Sequence, residues 1–145
     1  MERLNHGGPG GQHANKTASA VRLRHPSGVE AWCADHREAG RNQTAALRRL
    51  RVRLAATLRG VADPAWLAPY RQGGRLRLGA NANDYPLVAA VLLDALAAAA
   101  GSLTTAAAAV ALSTSQLAKL LTADPDIRRA ADGIRTAHDL GPVHD

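Results

Sequence analysis

Several residue types are scarce in this chain of 145 residues, and their scarcity limits the kinds of core, cross-link and membrane segment that the chain can form. Phenylalanine is absent and aromatic residues make up 3% of the sequence, which favours small, alanine-rich helical cores. The only cysteine, Cys33, cannot form an intrachain disulfide and is typical of a reducing compartment. The longest apolar run, residues 87–100, contains Asp94 and is too short to cross a bilayer. With no signal peptide visible either, the sequence predicts a cytoplasmic protein without a membrane segment.

Acidic residues are scarce in the first half of the chain only. Residues 1–79 carry 14 basic and 5 acidic side chains, whereas residues 80–145 carry 4 and 7. Lys16 and Lys119 are the only lysines; arginine supplies the other cations, and its planar fork can bind two phosphate oxygens at once. The formal net charge of +6 predicts acidic partners, with nucleic acid ahead of an anionic membrane.

A glycine-rich loop stands near the start, where residues 8–16 read Gly-Pro-Gly-Gly-Gln-His-Ala-Asn-Lys. Its glycines reach backbone conformations that a Cβ forbids, which suits a loop whose bare backbone approaches a ligand closely. Three phosphate-loop patterns do not fit. A dinucleotide fingerprint needs glycine where His13 stands, a Walker A loop needs glycine directly before Lys16, and a kinase-type loop lacks its other parts.

The next segments predict a β-hairpin followed by a helix. Residues 19–25 and 29–33 alternate around a turn at 26–28, which places Cys33 in the core. The outward face of the hairpin would carry Arg22, Arg24, Glu30 and Trp32.

The helix begins between residues 37 and 42 and ends at Gly60. Its arginines are compatible with a solvated face or with RNA contact. Beyond it, residues 63–74 predict an irregular crossover, and residues 75–78 predict a closing strand in the same sheet. Trp66 and Tyr70 are expected to pack the crossover down, with stacking on RNA as the alternative role for either. The predicted apolar stripe of the helix consists of Leu47, Leu50, Leu54, Leu58 and Val61.

The segment GPGGQHANKTASAVRLRHPSG, residues 8–28, resembles the GGQ domain of class I peptide chain release factors and their codon-independent ribosome-rescue relatives. The resemblance covers roughly residues 7–54. Arg37, Asn42 and Ala46-Leu47 match the stretch where the family usually has Arg-Ser-Gln, then Asn, then an Ala-Leu helix. It implies hydrolysis of the ester bond of peptidyl-tRNA in the peptidyl transferase centre.

On this resemblance, Gly10, Gly11 and Gln12 are the catalytic residues. The glycines would let the backbone enter a crowded RNA pocket, and the main-chain N–H of Gln12 would donate to the developing oxyanion or leaving oxygen. The glutamine side chain would favour water as the nucleophile, and in this family it is commonly N-methylated by a dedicated methyltransferase. The implied partners are large-subunit rRNA and peptidyl-tRNA. The residues expected to contact RNA are His13, Asn15, Lys16, Arg22, Arg24, Arg37, Arg48 and Arg51.

The sequence departs from the family pattern at four points. Only nine residues precede Gly10, whereas the family usually has a longer lead that includes a first strand; a truncated, mis-started or unusually compact chain would each explain this, and a missing strand would expose a sheet edge. Glu38 and Ala39 stand where Ser and Gln are usual. No codon-reading domain is evident. Residues 140–145 are not basic, unlike the tail by which rescue members probe the mRNA channel.

Residues 80–145 predict a helical region. Within it, residues 107–117 resemble a helix-turn-helix, with Ala111 where glycine is usual in the turn and a capping box between Ser113 and Gln116. A nucleic-acid-binding module and an alanine-rich bundle both fit, and the local net charge of −3 favours the bundle or a protein-docking role. The predicted N-caps are Asp84, Ser102, Ser113 and Asp124.

These features predict an α+β fold: a GGQ domain over residues 1–79, with a small mixed or antiparallel sheet and a packed helix, then an all-α domain over residues 80–145. The leading hypothesis is codon-independent hydrolysis of peptidyl-tRNA on the ribosome, in termination or rescue. The alternatives are a non-catalytic ribosome- or RNA-binding protein and a helix-turn-helix regulator that binds nucleic acid. The histidines lack ligand spacing, so no metal, cofactor or catalytic triad is predicted.

Overall fold

The computed structural model describes the backbone of residues 2–4 and, with their side chains, residues 19–61 and 63–144. The chain divides into two compact units, Met1–Leu54 and Ala55–Asp145. The described ranges contain strands first and then mainly helices, which confirms the predicted α+β fold. The domain limits of 1–79 and 80–145 stay a prediction. None of the described helices is both long and apolar enough to span a membrane.

In the first unit, β1 (Glu2–Leu4), β2 (Ala20–Arg24) and β3 (Glu30–Cys33) form an antiparallel sheet in that order. The predicted hairpin is β2 and β3, and its turn contains Gly28 at a φ of +92°, a conformation that glycine adopts without strain. The sequence left open whether a strand precedes the loop, and residues 2–4 form one that pairs with β2.

The core of this unit lies between the inner face of the sheet and helix α1 (Ala39–Thr57). Side chains alternate across a strand, so every second residue of β2 and β3 points at the helix. Burying one of these Val or Leu side chains contributes about 2 kcal/mol relative to leaving it in water. The buried residues are Val21, Leu23, Ala31, Cys33, Ala46 and Leu50.

The buried face of α1 differs from the predicted leucine stripe. Ala46 and Leu50, four residues apart, set the face that meets the sheet. Leu47 is 40% exposed because it lies about 100° around the helix from Ala46. Leu58 and Val61 are exposed because the helix ends before them, ahead of the predicted end at Gly60.

The crossover after α1 contains a 3₁₀ helix, Pro64–Tyr70. Its buried anchor is Leu67, whereas Trp66 is 52% exposed, so the predicted packing of Trp66 is wrong. Tyr70 is half-buried and donates its hydroxyl to Asp84 Oδ2 at 2.7 Å. That carboxylate makes no capping hydrogen bond to the following helix, contrary to the prediction.

The next two strands, β4 (Arg71–Gln72) and β5 (Arg75–Leu76), form a separate antiparallel pair. The prediction of a closing strand in the first sheet is therefore wrong. Gly73 and Gly74 have φ values of +57° and +77°, and the tight turn they form folds β5 back onto β4.

Helices make up most of the remaining chain and pack around α2, which contacts the other three. The leucines of α4 and all but one of the leucines and valines of α2 are buried, so each helix presents an apolar face to the core. Tyr85 of α2 is fully buried and donates its hydroxyl to the carbonyl of Leu120 at 2.8 Å. The helices are α2 (Tyr85–Ala98), α3 (Leu103–Ala109), α4 (Thr114–Thr122) and α5 (Pro125–Thr136).

The caps of this unit match the sequence in three of the four predicted places. Ser102, Ser113 and Asp124 accept main-chain N–H groups of the following turn at 2.8 to 3.2 Å. The side chain of Gln116 does not complete the predicted capping box, because it donates to a strand carbonyl instead. Ala111 has a φ of +54°, so it occupies the left-handed conformation for which glycine is usual in such a turn.

Candidate functional site

The predicted catalytic loop joins β1 to β2. Leu4, the last residue of β1, pairs with Ala20, the first residue of β2, so the two strands that flank the loop lie side by side. Residues 5–18 lie outside the described part of the chain. The roles predicted for Gly10, Gly11, Gln12, His13, Asn15 and Lys16 therefore stay predictions.

Asn42 of α1 anchors the chain where it leaves this loop. Its side chain is fully buried, and Nδ2 donates to the carbonyl of Ser19 at 2.9 Å and to the Ser19 hydroxyl at 3.0 Å. The same nitrogen donates to the carbonyl of His36 at 2.9 Å, while Oδ1 accepts the His36 N–H at 2.9 Å. Cys33 Sγ donates to Oδ1 at 3.4 Å. One helix side chain thus binds the start of β2 and the loop after β3 together.

The position requires an amide because it needs a donor and an acceptor on one short side chain. A carboxylate would supply no donor to the two carbonyls. An apolar residue would remove the hydrogen bonds that Asn42 makes to both carbonyls and to the His36 N–H. The resemblance identified Asn42 as a matching residue but not as this hydrogen-bonding centre. Its partners lie up to 23 residues away, so no local pattern indicates them.

The outer face of the sheet carries two predicted RNA contacts, Arg22 and Arg24. Arg22 stands opposite Trp32 and Arg24 opposite Glu30, which confirms the predicted outward set. Arg24 Nε lies 2.5 Å from Glu30 Oε1, and the indole of Trp32 is 47% exposed. This face therefore combines arginine with an accessible aromatic ring, as RNA-binding surfaces do.

Two arginines of α1 that were not among the predicted RNA contacts bind the edge strand β3. Arg49 donates to the carbonyl of Trp32 at 2.8 Å, and Arg53 donates to the carbonyl of Glu30 at 2.9 Å. Arg49 also donates to Asp35 Oδ2 at 2.6 Å, and this hydrogen bond and the cationic charge lower the pKa of Asp35. These contacts cover main-chain acceptors of an edge strand. Sequence periodicity placed both arginines on the helix surface but did not indicate this role.

Two further predicted contacts, Arg48 and Arg51, lie in the helix on the other side of the sheet. Arg48 and Arg51 belong to α1, which packs against the inner face, whereas Arg22 and Arg24 project from the outer face. Arg48 is half-buried; Arg51 and Arg37 are exposed. The structure therefore brings the two strand arginines together but does not join them to the helix arginines in one patch.

The charge of the chain is concentrated in the first unit. Residues 1–54 carry 10 basic and 4 acidic side chains, whereas residues 55–145 carry 8 of each. The ion pairs of the first unit that the structure describes are exposed, and such pairs contribute about 1 kcal/mol or less each. They join Arg24 to Glu30, Arg41 to Glu38 and Arg49 to Asp35.

The described fold and the sequence together define a class of domain: an α+β unit with an excess of arginine, in which the sequence Gly-Gly-Gln stands between two strands that pair antiparallel. Residues 1–64 match the sequence profile of the RF-1 domain. This part of the chain is therefore similar to the RF-1 domain, which supports the resemblance to class I release factors.

Individual relatives agree with that assignment. Over 50 residues the chain is 56% identical to peptide chain release factor 1 of Symbiobacterium thermophilum, a segment that covers 34% of this chain and 14% of that protein. It is 49% identical over 59 residues to peptide chain release factor 1 of Rhodospirillum rubrum, covering 40% and 17%. The chloroplastic peptide chain release factor PrfB2 of Arabidopsis thaliana is 47% identical over 55 residues, covering 37% and 11%. The chain thus spans less than one fifth of the length of each relative. No solved structure matches it significantly.

Proposed function

We propose that this chain is a cytoplasmic, release-factor-like protein that hydrolyses peptidyl-tRNA on the ribosome without reading a codon, in termination or rescue. The observation that carries the proposal is the match of residues 1–64 to the RF-1 domain, with Gly10-Gly11-Gln12 between two paired strands. The relatives it resembles are named peptide chain release factors. Because the chain covers a small part of each, their role is extended to it as a proposal.

In the proposed reaction, a water oxygen attacks the ester carbonyl carbon of peptidyl-tRNA. The bond to the terminal ribose oxygen of the tRNA breaks, and the leaving oxygen takes up a proton. The main-chain N–H of Gln12 donates to the oxygen that gains negative charge, which preorganised donors stabilise strongly. Gly10 and Gly11 leave room for the RNA around the loop. The hydrogen bonds of Asn42 support this arrangement by fixing the strand start that follows the loop.

The partners proposed for the domain are large-subunit rRNA and the peptidyl-tRNA itself. The excess of basic side chains in residues 1–54 supports phosphate contact by this unit. A methyltransferase that modifies the side-chain amide of Gln12 is a further proposed partner. The RF-1 match ends at residue 64, and the described residues beyond it are mainly helical. The proposal therefore assigns codon reading to no part of the chain.

The test is peptide release from purified ribosomes that carry labelled peptidyl-tRNA in the P site, with a sense codon or a stop codon in the A site. The wild type is compared with Gln12→Ala, Gly10→Ala and Gln43→Ala. Gln43 is an exposed glutamine of α1, so its variant is the matched control. We expect release on both codons, a decrease of at least about tenfold in the two loop variants, and no change in the control.

Each part of the proposal has its own refutation. Absent release by the wild type, or equal release by all four proteins, removes the enzymatic role. Release confined to the stop codon removes codon independence. Co-sedimentation with ribosomes without hydrolysis would identify the chain as a non-catalytic ribosome-binding protein.

A further inference from the structure

An open groove of about 280 Å³ lies in the second unit, between residues 75–80 and helix α4. Three cations line it, Arg75 and Arg77 from the extended segment and Lys119 from the helix, together with Gln116. Among the described residues that line the groove, none is acidic. It is a cationic depression in a unit whose formal charges balance as a whole.

These cations differ from most other basic residues of the second unit. In the described parts of the chain, Arg75, Arg77 and Lys119 take part in no ion pair, and all three side chains are exposed. The cations that do have partners are Arg59 with Asp94, Arg129 with Asp126, and Arg71 and Arg135 with main-chain carbonyls.

Two hydrogen-bonded links hold the walls of the groove together. Arg71 donates to the carbonyls of Val110 and Ala111 in the turn between α3 and α4, the second at 3.1 Å. Gln116 Nε2 of α4 donates to the carbonyl of Leu76 at 3.2 Å. The β4–β5 hairpin is thereby fixed to the helix-turn-helix segment, so the backbone that carries the cations is in place before a ligand arrives. Preorganisation of this kind reduces the entropic cost of binding.

The spacing of the cations suits a row of phosphates. Leu76 is buried, so its two neighbours share the opposite side of the extended segment, about 6 to 7 Å apart along it. Both are arginines, whose planar forks match phosphate oxygens. The sequence-based argument against phosphate binding counted only residues 80–145, and Arg75 and Arg77 lie just before that range.

We propose that this groove binds the phosphate backbone of RNA, as a contact separate from the first unit. Phosphate binding follows from the groove itself, whereas RNA as the source of the phosphates rests on the proposed ribosomal function. Such a contact gives affinity without sequence readout, because backbone phosphates carry no base identity. It provides a second hold on the ribosome for a protein to which no codon-reading domain is assigned.

The experiment measures binding of the full-length protein to a labelled 16-nucleotide oligouridine RNA across a salt series. The groove variant is Arg75→Gln with Arg77→Gln, and the control is Arg128→Gln with Arg129→Gln. All four residues are exposed arginines of the second unit, and each pair of substitutions removes two positive charges. We expect the groove variant to bind about tenfold more weakly and to lower the slope of log K against log salt by about 1.4, or 0.7 for each lost phosphate contact. The control should change both quantities much less.

Other outcomes overturn the proposal. Equal effects of the two variants, or no effect of either, mean that the groove has no specific role in RNA binding. A DNA duplex that binds more tightly than the RNA and loses more affinity in the groove variant assigns the site to DNA. If the groove variant weakens the binding of a glutamate-rich peptide and not that of the RNA, the groove is assigned to an acidic protein. Because the RNA is free of ribosomes, absent peptide release with an intact groove effect refutes the proposed function alone, and the reverse result refutes this inference alone.

Discussion

Replacing Asn42 by alanine tests whether the buried amide holds the first unit together at the end of the predicted catalytic loop. The substitution removes Nδ2 from the carbonyls of Ser19 and His36 and removes Oδ1 from the His36 N–H. The carbonyl of His36 keeps the hydroxyl of Ser19 as a donor at 2.9 Å. Three main-chain groups therefore lose Asn42, and the effect falls mainly on the Ser19 carbonyl and the His36 N–H.

The magnitude follows from those two groups. A hydrogen-bonding group left without its partner in a poorly solvated site costs about 1 to 1.5 kcal/mol at the lower end of the observed range. We use the lower end because His36 is exposed and Ser19 half-buried, so water reaches part of this site. The cavity left by a fully buried side chain adds a smaller contribution. The expected loss is about 3 kcal/mol, which lowers the melting temperature by roughly 10 °C.

The assay is urea unfolding followed by circular dichroism, with Gln43→Ala as the control because that side chain lies next in the helix and is exposed. The midpoint should fall while the m-value stays constant, since the surface exposed on unfolding is nearly the same. A loss below about 1 kcal/mol, or one equal to that of the control, would falsify the role given to the amide.

A second variant, Asn42→Asp, separates chemistry from shape. Its carboxylate would face carbonyl oxygens in a buried site, which raises the pKa of the introduced carboxyl in the folded state. A folded-state pKa above the unfolded value means that stability is greatest below the unfolded pKa and falls as pH rises through the folded pKa. The difference in stability from the wild type should therefore shrink as the pH is lowered from 7 towards 4. A pH-independent difference contradicts the donor assignment.

Two further predictions concern the second unit. Ala111→Gly should increase stability by about 0.5 to 1 kcal/mol, because Ala111 is exposed at a φ of +54°, where glycine is not strained. The control Ala108→Gly, within α3, should decrease stability by a similar amount. If denaturant titration gives the same sign for both substitutions, the assignment of strain to Ala111 is wrong. Burial, with a smaller contribution from Asp124, raises the pKa of Tyr85, so stability should be greatest below pH 10 and fall as the pH rises towards the folded-state pKa. Tyr85→Phe should cost about 1 kcal/mol at pH 7 through the lost hydrogen bond to Leu120 and should flatten the alkaline decrease; an unchanged decrease would show that another group causes it.

The sequence predicts most of the local structure because local signals decide it. The alternation over β2 and β3 and the turn glycine give the hairpin and its inner and outer faces. A serine or aspartate just before a run of apolar residues at helical spacing marks the start of each of the last three helices. The Gly-Gly-Gln stretch with its neighbours indicated the resemblance to release factors, and residues 1–64 match the RF-1 domain.

The failures of the sequence-based predictions involve contacts between distant residues. Trp66 was expected to pack the crossover down, but a neighbouring leucine takes the buried site, and composition does not distinguish the two. Asp94 interrupts an apolar run because it accepts the N–H of Gly60 at 3.1 Å and pairs with Arg59 at 3.2 Å, both more than 30 residues earlier. Such partners become evident only once the helices are placed.

The same limit applies to the use of net charge as a guide to function. The second unit is neutral by count, which taken alone argues against phosphate binding. Its carboxylates, however, are largely engaged: Asp63 and Asp124 cap helices, Asp84 accepts the hydroxyl of Tyr70, and Asp132 accepts the N–H of Val143. A carboxylate that is hydrogen-bonded at one place keeps its charge, but that charge weakens with distance and with screening by salt. It therefore has little effect on a cation on another surface. A neutral unit can therefore present a cationic groove, and the relevant count is of charges that lack a neighbour of opposite sign. By that count, the groove beside α4 is a phosphate candidate although its unit is neutral.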